Sequence, residues 1–413
     1  MNNLVNREEI LKSTLSNGIR VISEKVENTS SFTLGIHFAN GSRHENDFPN
    51  GVAHFMEHYA FRRSHKFNNK QIAKRFEILG AVTNAFTTKE QVSFYATALN
   101  VNFDKVLDLL IEIVLNPEFI SEDIEKEKEI ILDEIRSYED DHEDMIFEYA
   151  AKLMYEDNKL ANPIAGSIES VSKINKTQLK KYHIQNFTTD QMIVTFAGAY
   201  DHEDIIPKLD SIRSRKGKNL AFKTPKLVEP SKLVVKKNSS QSHLILSHFY
   251  PNNDLELRYR FAIINILLGD GLSSRLYQRL RESLGLAYNI YSGFTNHVDL
   301  TEMAIYSSFE PRRLNRVRSV ILKELSKIMD KGFSEREIKI AKELLKTYSV
   351  MESESTLSKM NIMARQEIIY GKQDTTLDAL KRIESISKKQ IDSDIDKIIK
   401  LEKWFEVVIQ PND

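Results

Sequence analysis

His54, Glu57 and His58, within Gly51-Val-Ala-His-Phe-Met-Glu-His58, have the residue types and the spacing to do chemistry. On a helix the two histidines stand one turn apart on one face, with Glu57 roughly 60° to one side of His54. Two imidazoles at i and i+4 can hold one Zn²⁺, and a carboxylate beside them can take a proton from a water activated there. Read along the chain the order is H-x-x-E-H, the reverse of H-E-x-x-H. With 11 histidines in the chain, the spacing by itself also fits a coincidence on an amphipathic helix. A hydrolytic centre needs a third protein ligand and keeps its fourth metal position open.

Candidates for that ligand lie in Glu125-Lys-Glu-Lys-Glu-Ile-Ile-Leu-Asp-Glu134. Glu127 and Glu134 are two helical turns apart and project from one face. Glu125 and Glu129 read as a solvated face. Ile131, Leu132 and Ile135 place the turn of Glu134 against a core, but spacing does not choose between Glu127 and Glu134.

The elements that must position these side chains are mixed. Thr14 to Ser23 reads as a β-hairpin turning at Asn17-Gly18, and Ser31 to Phe38 and Gln91 to Leu99 alternate like strands. Asn50-Gly51 precedes the H-x-x-E-H helix, Asn102 to Val114 is an amphipathic helix, and Ser121 to Tyr138 is another with Ser121 as its cap. Strands and helices without strict βαβ alternation predict an α+β fold.

A chain of 413 residues exceeds one hydrophobic core, so two domains or more are expected. Hydrophobic content of 41% and charged content of 28% suit a soluble globular protein. A net charge of −1 gives no global attraction to nucleic acid or to an anionic membrane. The absence of cysteine removes disulfides, thiolate metal sites and cysteine nucleophiles, leaving His and carboxylate as metal ligands. No run is long and apolar enough for a membrane span, and the first ten residues carry no signal-peptide pattern, so a cytoplasmic protein is expected.

Ser211 to Lys232 is basic and interrupted by Pro225 and Pro230, and Ser214 to Asn219 reads as a solvated linker. The two sides of it resemble each other. Leu79 to Phe86 parallels Leu284 to Tyr291, followed in each half by a strand, a helix (Asp104 to Val114; Asn315 to Ile328) and a Ser-Glu-opened helix (Ser121; Ser334). This predicts a duplicated domain: residues 1–212 with the metal motif, a linker at 213–232, and a homologous domain at 233–413. The motif is not duplicated, since the matching region Gly269 to Gln278 has no histidine.

With these residues in view, the chain resembles the pitrilysin/insulinase-like zinc metallopeptidases, the inverzincins, and in size the two-domain subunits of the mitochondrial processing peptidase type. The resemblance rests on His54-Phe-Met-Glu-His58, Asn40 to Glu45, Asn84-Ala-Phe-Thr87, and Ser274 to Glu282 leading into Gly285-Leu-Ala-Tyr288. In that family a glutamate ligand follows the motif at a set distance, with another glutamate seven residues before it. Here Glu134 lies 76 positions after His58 and Glu127 seven before it. The resemblance therefore makes Glu134 the third ligand of one Zn²⁺ per subunit, and Glu127 a residue that orients a histidine. Tyr59-Ala-Phe-Arg-Arg-Ser64 departs from the family's usual Lys-Gly-Thr ending, and Met56 replaces a common leucine.

The resemblance also implies a fold and an activity. Each half would be an α/β-sandwich-like domain, a mixed, mostly antiparallel sheet flanked by helices, and the halves would close like a clamshell on dimerisation. Glu57 would act as the base of a zinc endopeptidase for unstructured peptides, with Asn84 and Ala85 pairing an extended substrate. Arg281 and Tyr288 would reach the substrate, Tyr288 donating to the developing oxyanion. Because larger relatives hold four such domains, a homodimer is expected, with Arg281 and Tyr288 of one subunit serving the zinc of the other. A heterodimeric peptide-processing subunit and a non-catalytic scaffold are the competing readings.

Overall fold

The structure is a computed structural model that describes residues 9–217, 222–251 and 254–412. Residues 1–8 of the opening segment and 218–221 of the expected linker lie outside the described residues.

Two sheets organise the described chain. The first holds β1 (Ile10–Thr14), β2 (Arg20–Lys25), β3 (Ser31–Phe38), β4 (Val82–Thr87), β5 (Val92–Leu99) and β6 (Met192–Gly198), in the order β1-β2-β6-β3-β5-β4. Every neighbouring pair is antiparallel except β2 with β6. The expected hairpin is β1–β2, paired from Thr14↔Arg20, and Gly18 supplies its turn with a φ of 96°. The second sheet holds β7 (Lys232–Lys237), β8 (Ser242–Pro251), β9 (Ala287–Asn296), β10 (Leu300–Phe309) and β11 (Phe405–Pro411), in the order β7-β11-β8-β10-β9. Again one pair is parallel, β7 with β11. Without β1 the two orders are the same, strand for strand and direction for direction, so the repeat read from the sequence is a repeat of topology.

The topology also corrects the register of that repeat. The helix that follows β3, Val52–Ala60, has its counterpart after β8 in Leu255–Leu268. Gly269 to Gln278 comes one element later. Leu255–Leu268 contains no histidine either, so the metal motif remains confined to the first half.

Contacts divide the chain into two compact units that are not the contiguous halves expected at 212 and 233. Unit one comprises Met1–Ser137, Asn162–Lys223 and Met351–Thr376; unit two comprises Tyr138–Ala161, Thr224–Val350 and Leu377–Asp413. Each unit has taken one helix from the other half of the sequence, and the two helices occupy equivalent places in the repeat. The reason is two-sided burial. β6 is buried at every position, so the first sheet needs cover on both faces. One face packs on helices such as Phe103–Leu115 and Ser121–Asp140. On the other, Ile22, Ile193 and Ala197 meet Met363 of helix Thr356–Tyr370. That helix is also tied to the sheet by the buried Glu24–Lys359 pair and by Glu367, which meets Lys12 at 2.6 Å and Arg20 at 2.9 Å. In the second unit Ile146 and Ala150 of helix His142–Tyr155 fill the corresponding place against Ile245, Tyr306, Val407 and Ile409.

Among the described residues no helix is long and apolar enough to cross a membrane.

Candidate metal centre

Helix Val52–Ala60 is short, and its position is fixed at both ends. At its start Gly51 adopts φ 92° and ψ 0°, a left-handed conformation natural only to glycine. A Cβ there would meet the Ala165 carbonyl oxygen at 2.5 Å. The fully buried carboxylate of Glu45 caps the helix, accepting from Gly51 N at 3.0 and 3.1 Å and from Ala53 N at 3.0 Å. Such an anion offsets the positive end of the helix dipole and satisfies otherwise unpaired N–H groups. The other end is tied through Tyr59, whose hydroxyl donates to Glu118 O at 2.8 Å and accepts from Ile120 N at 3.0 Å. This joint sets where helix Ser121–Asp140 begins, and therefore where its glutamates fall.

Val52, Ala53, Phe55, Met56, Tyr59 and Ala60 face the core, which leaves His54, Glu57 and His58 on the remaining arc. Helix Ser121–Asp140 buries Ile124, Ile131, Leu132 and Ile135, and the same side carries the buried Glu127 and the half-buried Glu134. The expected ligand set converges. Single ligand atoms of His54, His58 and Glu134 lie within 4.8 Å of one another. Nε2 of His58 is 3.4 Å from one Glu134 oxygen, and Nε2 of His54 is 3.7 Å from the other. Tetrahedral zinc bonds of about 2.0–2.1 Å put neighbouring ligand atoms about 3.4 Å apart, so this donor set fits the ion.

The electrostatics point the same way. Burial, reinforced by the charge of His58, holds His54 down at about 4, so its ring is neutral and keeps a lone pair. Burial also opposes a charge on His58, yet hydrogen bonds to Glu127 and Glu134 and the nearby Glu57 lift it to about 9. Without a metal the cluster attracts a proton, as expected of a pocket built to hold a cation. Nδ1 of His58 lies 3.0 Å from Glu127 Oε1, which directs Nε2 towards Glu134. This is the contact that a carboxylate orienting a metal-bound histidine would make. His54 Nδ1 is buried and makes no hydrogen bond to a described residue, and the ring packs edge-on against His58 at 4.6 Å between centroids.

Glu57 sits beside the ligands, half-buried, with its carboxyl raised above the usual range by burial. Thr87, at the end of β4, donates to its Oε2 at 2.6 Å and pulls the other way. A carboxylate held against a three-donor cation site, with its proton affinity raised, is equipped to take up a water proton and release it again. Asn84 and Ala85 stand on β4, an edge strand of the first sheet, and Asn84 Oδ1 accepts from Ala85 N at 2.9 Å.

The first unit therefore gathers His54, Glu57, His58, Glu127 and Glu134, with Asn84 and Ala85 on the strand that ends at Thr87. Arg281 and Tyr288 belong to the second unit. Arg281 lies in a π-helical segment, Tyr277–Ser283, with its guanidinium 5.4 Å from the Tyr277 ring centre, and Tyr288 is exposed on the edge strand β9. Three site residues escaped the sequence reading: Glu45 as cap, Tyr59 as joint and Thr87 as partner of Glu57. Glu45 and Thr87 lie inside segments noted for their resemblance, but no spacing rule announces a contact between residues 30 positions apart.

A duplicated α+β chain with H-x-x-E-H on a capped helix and a glutamate brought in by a second helix defines a recognisable class of metalloprotein. The Insulinase (Peptidase family M16) pattern matches residues 20–168, and the Peptidase M16 inactive domain pattern matches residues 173–345. A Mycobacterium leprae protein named as an uncharacterized zinc protease is 30% identical over 391 residues, spanning 93% of this chain and 88% of that one. A Bacillus subtilis protein named as the uncharacterized zinc protease YmxG is 29% identical over 384 residues, spanning 92% of this chain and 94% of that one. The chain belongs to peptidase family M16. The crystal structure of a protease from Helicobacter pylori shares the fold, with a TM-score of 0.92 at 19% identity over 98% of this chain and all of that one.

Proposed function

We propose that this protein is a zinc-dependent endopeptidase that hydrolyses unstructured peptides, with His54, His58 and Glu134 as metal ligands and Glu57 as general base. The observation that carries the reading is the placement of Glu57, a half-buried carboxylate hydrogen-bonded by Thr87 beside a convergent two-histidine, one-glutamate set. The names of the relatives as zinc proteases support the same choice of metal and reaction.

His54, His58 and Glu134 would hold the zinc, which when bound would supply a Lewis acid for the scissile carbonyl and for water. Glu57 takes the proton of the attacking water on a carboxylate oxygen and returns it to the departing amine. Its raised proton affinity suits both transfers, and Thr87 keeps the reactive oxygen pointed at the site. Glu127 holds the His58 ring so that Nε2, not Nδ1, faces the metal position. β4 offers an open edge to an extended peptide, and Asn84 and Ala85 would present backbone groups to it.

The complete enzyme, on this reading, is a homodimer in which Arg281 and Tyr288 of one subunit bind substrate and stabilise the oxyanion over the zinc of the other. Chelated protein should lose cleavage of a quenched fluorescent peptide library, one equivalent of zinc should restore it, and Glu57→Gln should stay inactive when loaded. Mixing inactive Glu57→Gln with inactive Tyr288→Phe under subunit exchange should regain activity. No recovery after demonstrated exchange would remove the dimeric arrangement, and zinc-loaded wild type without cleavage would remove the activity.

A further inference from the structure

The helix ends at Ala60 in a tighter turn. Phe61 and Arg62 continue the turn, with Arg62 N donating to Tyr59 O at 2.9 Å. His54 and His58 stand one helical turn apart, and Arg62 follows in the turn that closes the helix. Facing them, helix Ser121–Asp140 presents Asp123, Glu127 and Glu134. The two sets meet in antiparallel order. Glu134 faces His54 and His58 at 3.7 and 3.4 Å, Glu127 faces His58 at 3.0 Å, and Arg62 Nε lies 3.7 Å from Glu127 and 3.8 Å from Asp123.

Glu127 thus hydrogen-bonds His58 at one oxygen, and at the other it faces the Arg62 guanidinium across an ion-pair distance of 3.7 Å, where Arg62 Nε makes no hydrogen bond to a described residue. The Glu127 side chain is 9% exposed, so solvent does little to orient it. We infer that Arg62 is a positioning residue of the metal centre: it fixes the Glu127 carboxylate so that Oε1 meets His58 Nδ1 and Nε2 of His58 is presented as ligand. This deepens the zinc reading above and rests on it. The guanidinium also stands 3.8 Å from Asp123, whose carboxylate is paired with Arg63 at 2.6 Å. Arg62 therefore acts on Glu127 through this ion pair. Arg62 and Arg63 both answer carboxylates on the one facing helix.

The test is zinc affinity of the whole chain, measured by competition with a chromophoric chelator, for wild type, Arg62→Met, Arg62→Lys, Glu127→Gln and the Arg62→Met/Glu127→Gln double variant. Partners that orient metal-bound histidines change metal affinity by about 10- to 100-fold, and Arg62 acts one contact further out, so Arg62→Met should weaken zinc about ten-fold. Arg62→Lys should recover most of the loss. In the Glu127→Gln background Arg62→Met should add nothing, because the carboxylate it holds is gone. Wild-type affinity in Arg62→Met, or an equal loss with and without Glu127, would overturn the inference. Circular dichroism of the chelated proteins checks folding, and Arg62→Gln carries the same expectation should Arg62→Met not fold. If wild type itself binds zinc no better than His58→Ala, the metal reading fails rather than the role of Arg62.

Discussion

Replacing Glu45 by glutamine keeps the shape of the side chain and removes the anion that starts the metal helix. The cost can be worked from the contacts. Oε1 accepts from Gly51 N and Ala53 N, both at 3.0 Å, and the glutamine carbonyl can keep those bonds. Oε2 accepts from Asn50 Nδ2 at 2.9 Å, and a glutamine amide there sets donor against donor. Asn50 cannot flip without cost, since the same Nδ2 also donates to Pro163 O at 2.9 Å. The loss is one charge-assisted hydrogen bond, about 1.5–3 kcal/mol, plus about 0.3–1 kcal/mol from the helix dipole. Glu45→Gln should therefore be about 2–4 kcal/mol less stable. Because His54 lies in the first turn of that helix, zinc affinity should fall with it. Urea unfolding of the chelated protein measures the first quantity and chelator competition the second. A variant within about 0.5 kcal/mol of wild type, the usual spread of neutral surface changes, would refute the cap as the anchor of the site.

Acid should destabilise the fold through its buried histidines. Burial holds His37 at about 3, and His183 and His248 at about 4, below the ordinary value of 6.5. The unfolded chain takes up these protons first, so stability is full above pH 6.5 and is lost as pH falls towards the folded values, by about 1.4 kcal/mol per unit for each histidine. Urea midpoints at pH 7, 6 and 5 should fall in that order, and a flat series would contradict it. Gly51→Ala should be strongly destabilising, with about 1–2 kcal/mol from the left-handed backbone alone before the contact with Ala165, read as a lowered unfolding midpoint. Glu134→Gln should lose zinc affinity while keeping the wild-type circular dichroism spectrum, because Glu134 is half-buried and its partners are the two histidines.

Much of this was legible in the sequence, for physical reasons that can be named. The i, i+4 histidines and the i, i+7 glutamates lie on helices whose apolar residues fix which arc faces the core, so convergence followed once both helices packed on one sheet. The duplication was visible because strand and helix order repeat even where identities do not. Two kinds of fact were hidden. An apolar stripe says that a helix is buried but not against which sheet, so nothing in His142–Tyr155 or Thr356–Tyr370 announced that each would pack in the other unit. The contacts of Glu45, Tyr59 and Thr87 depend on how loops bring distant segments together, and hydrogen bonds of that kind leave no periodic trace.

A crystal structure of zinc-loaded Glu57→Gln with an uncleaved peptide tests the central claim most directly. The account predicts one zinc bonded to His54 Nε2, His58 Nε2 and the Glu134 carboxylate at about 2.0–2.2 Å, with the peptide extended along the open edge of β4. Zinc bound elsewhere, or a peptide away from β4, would contradict it.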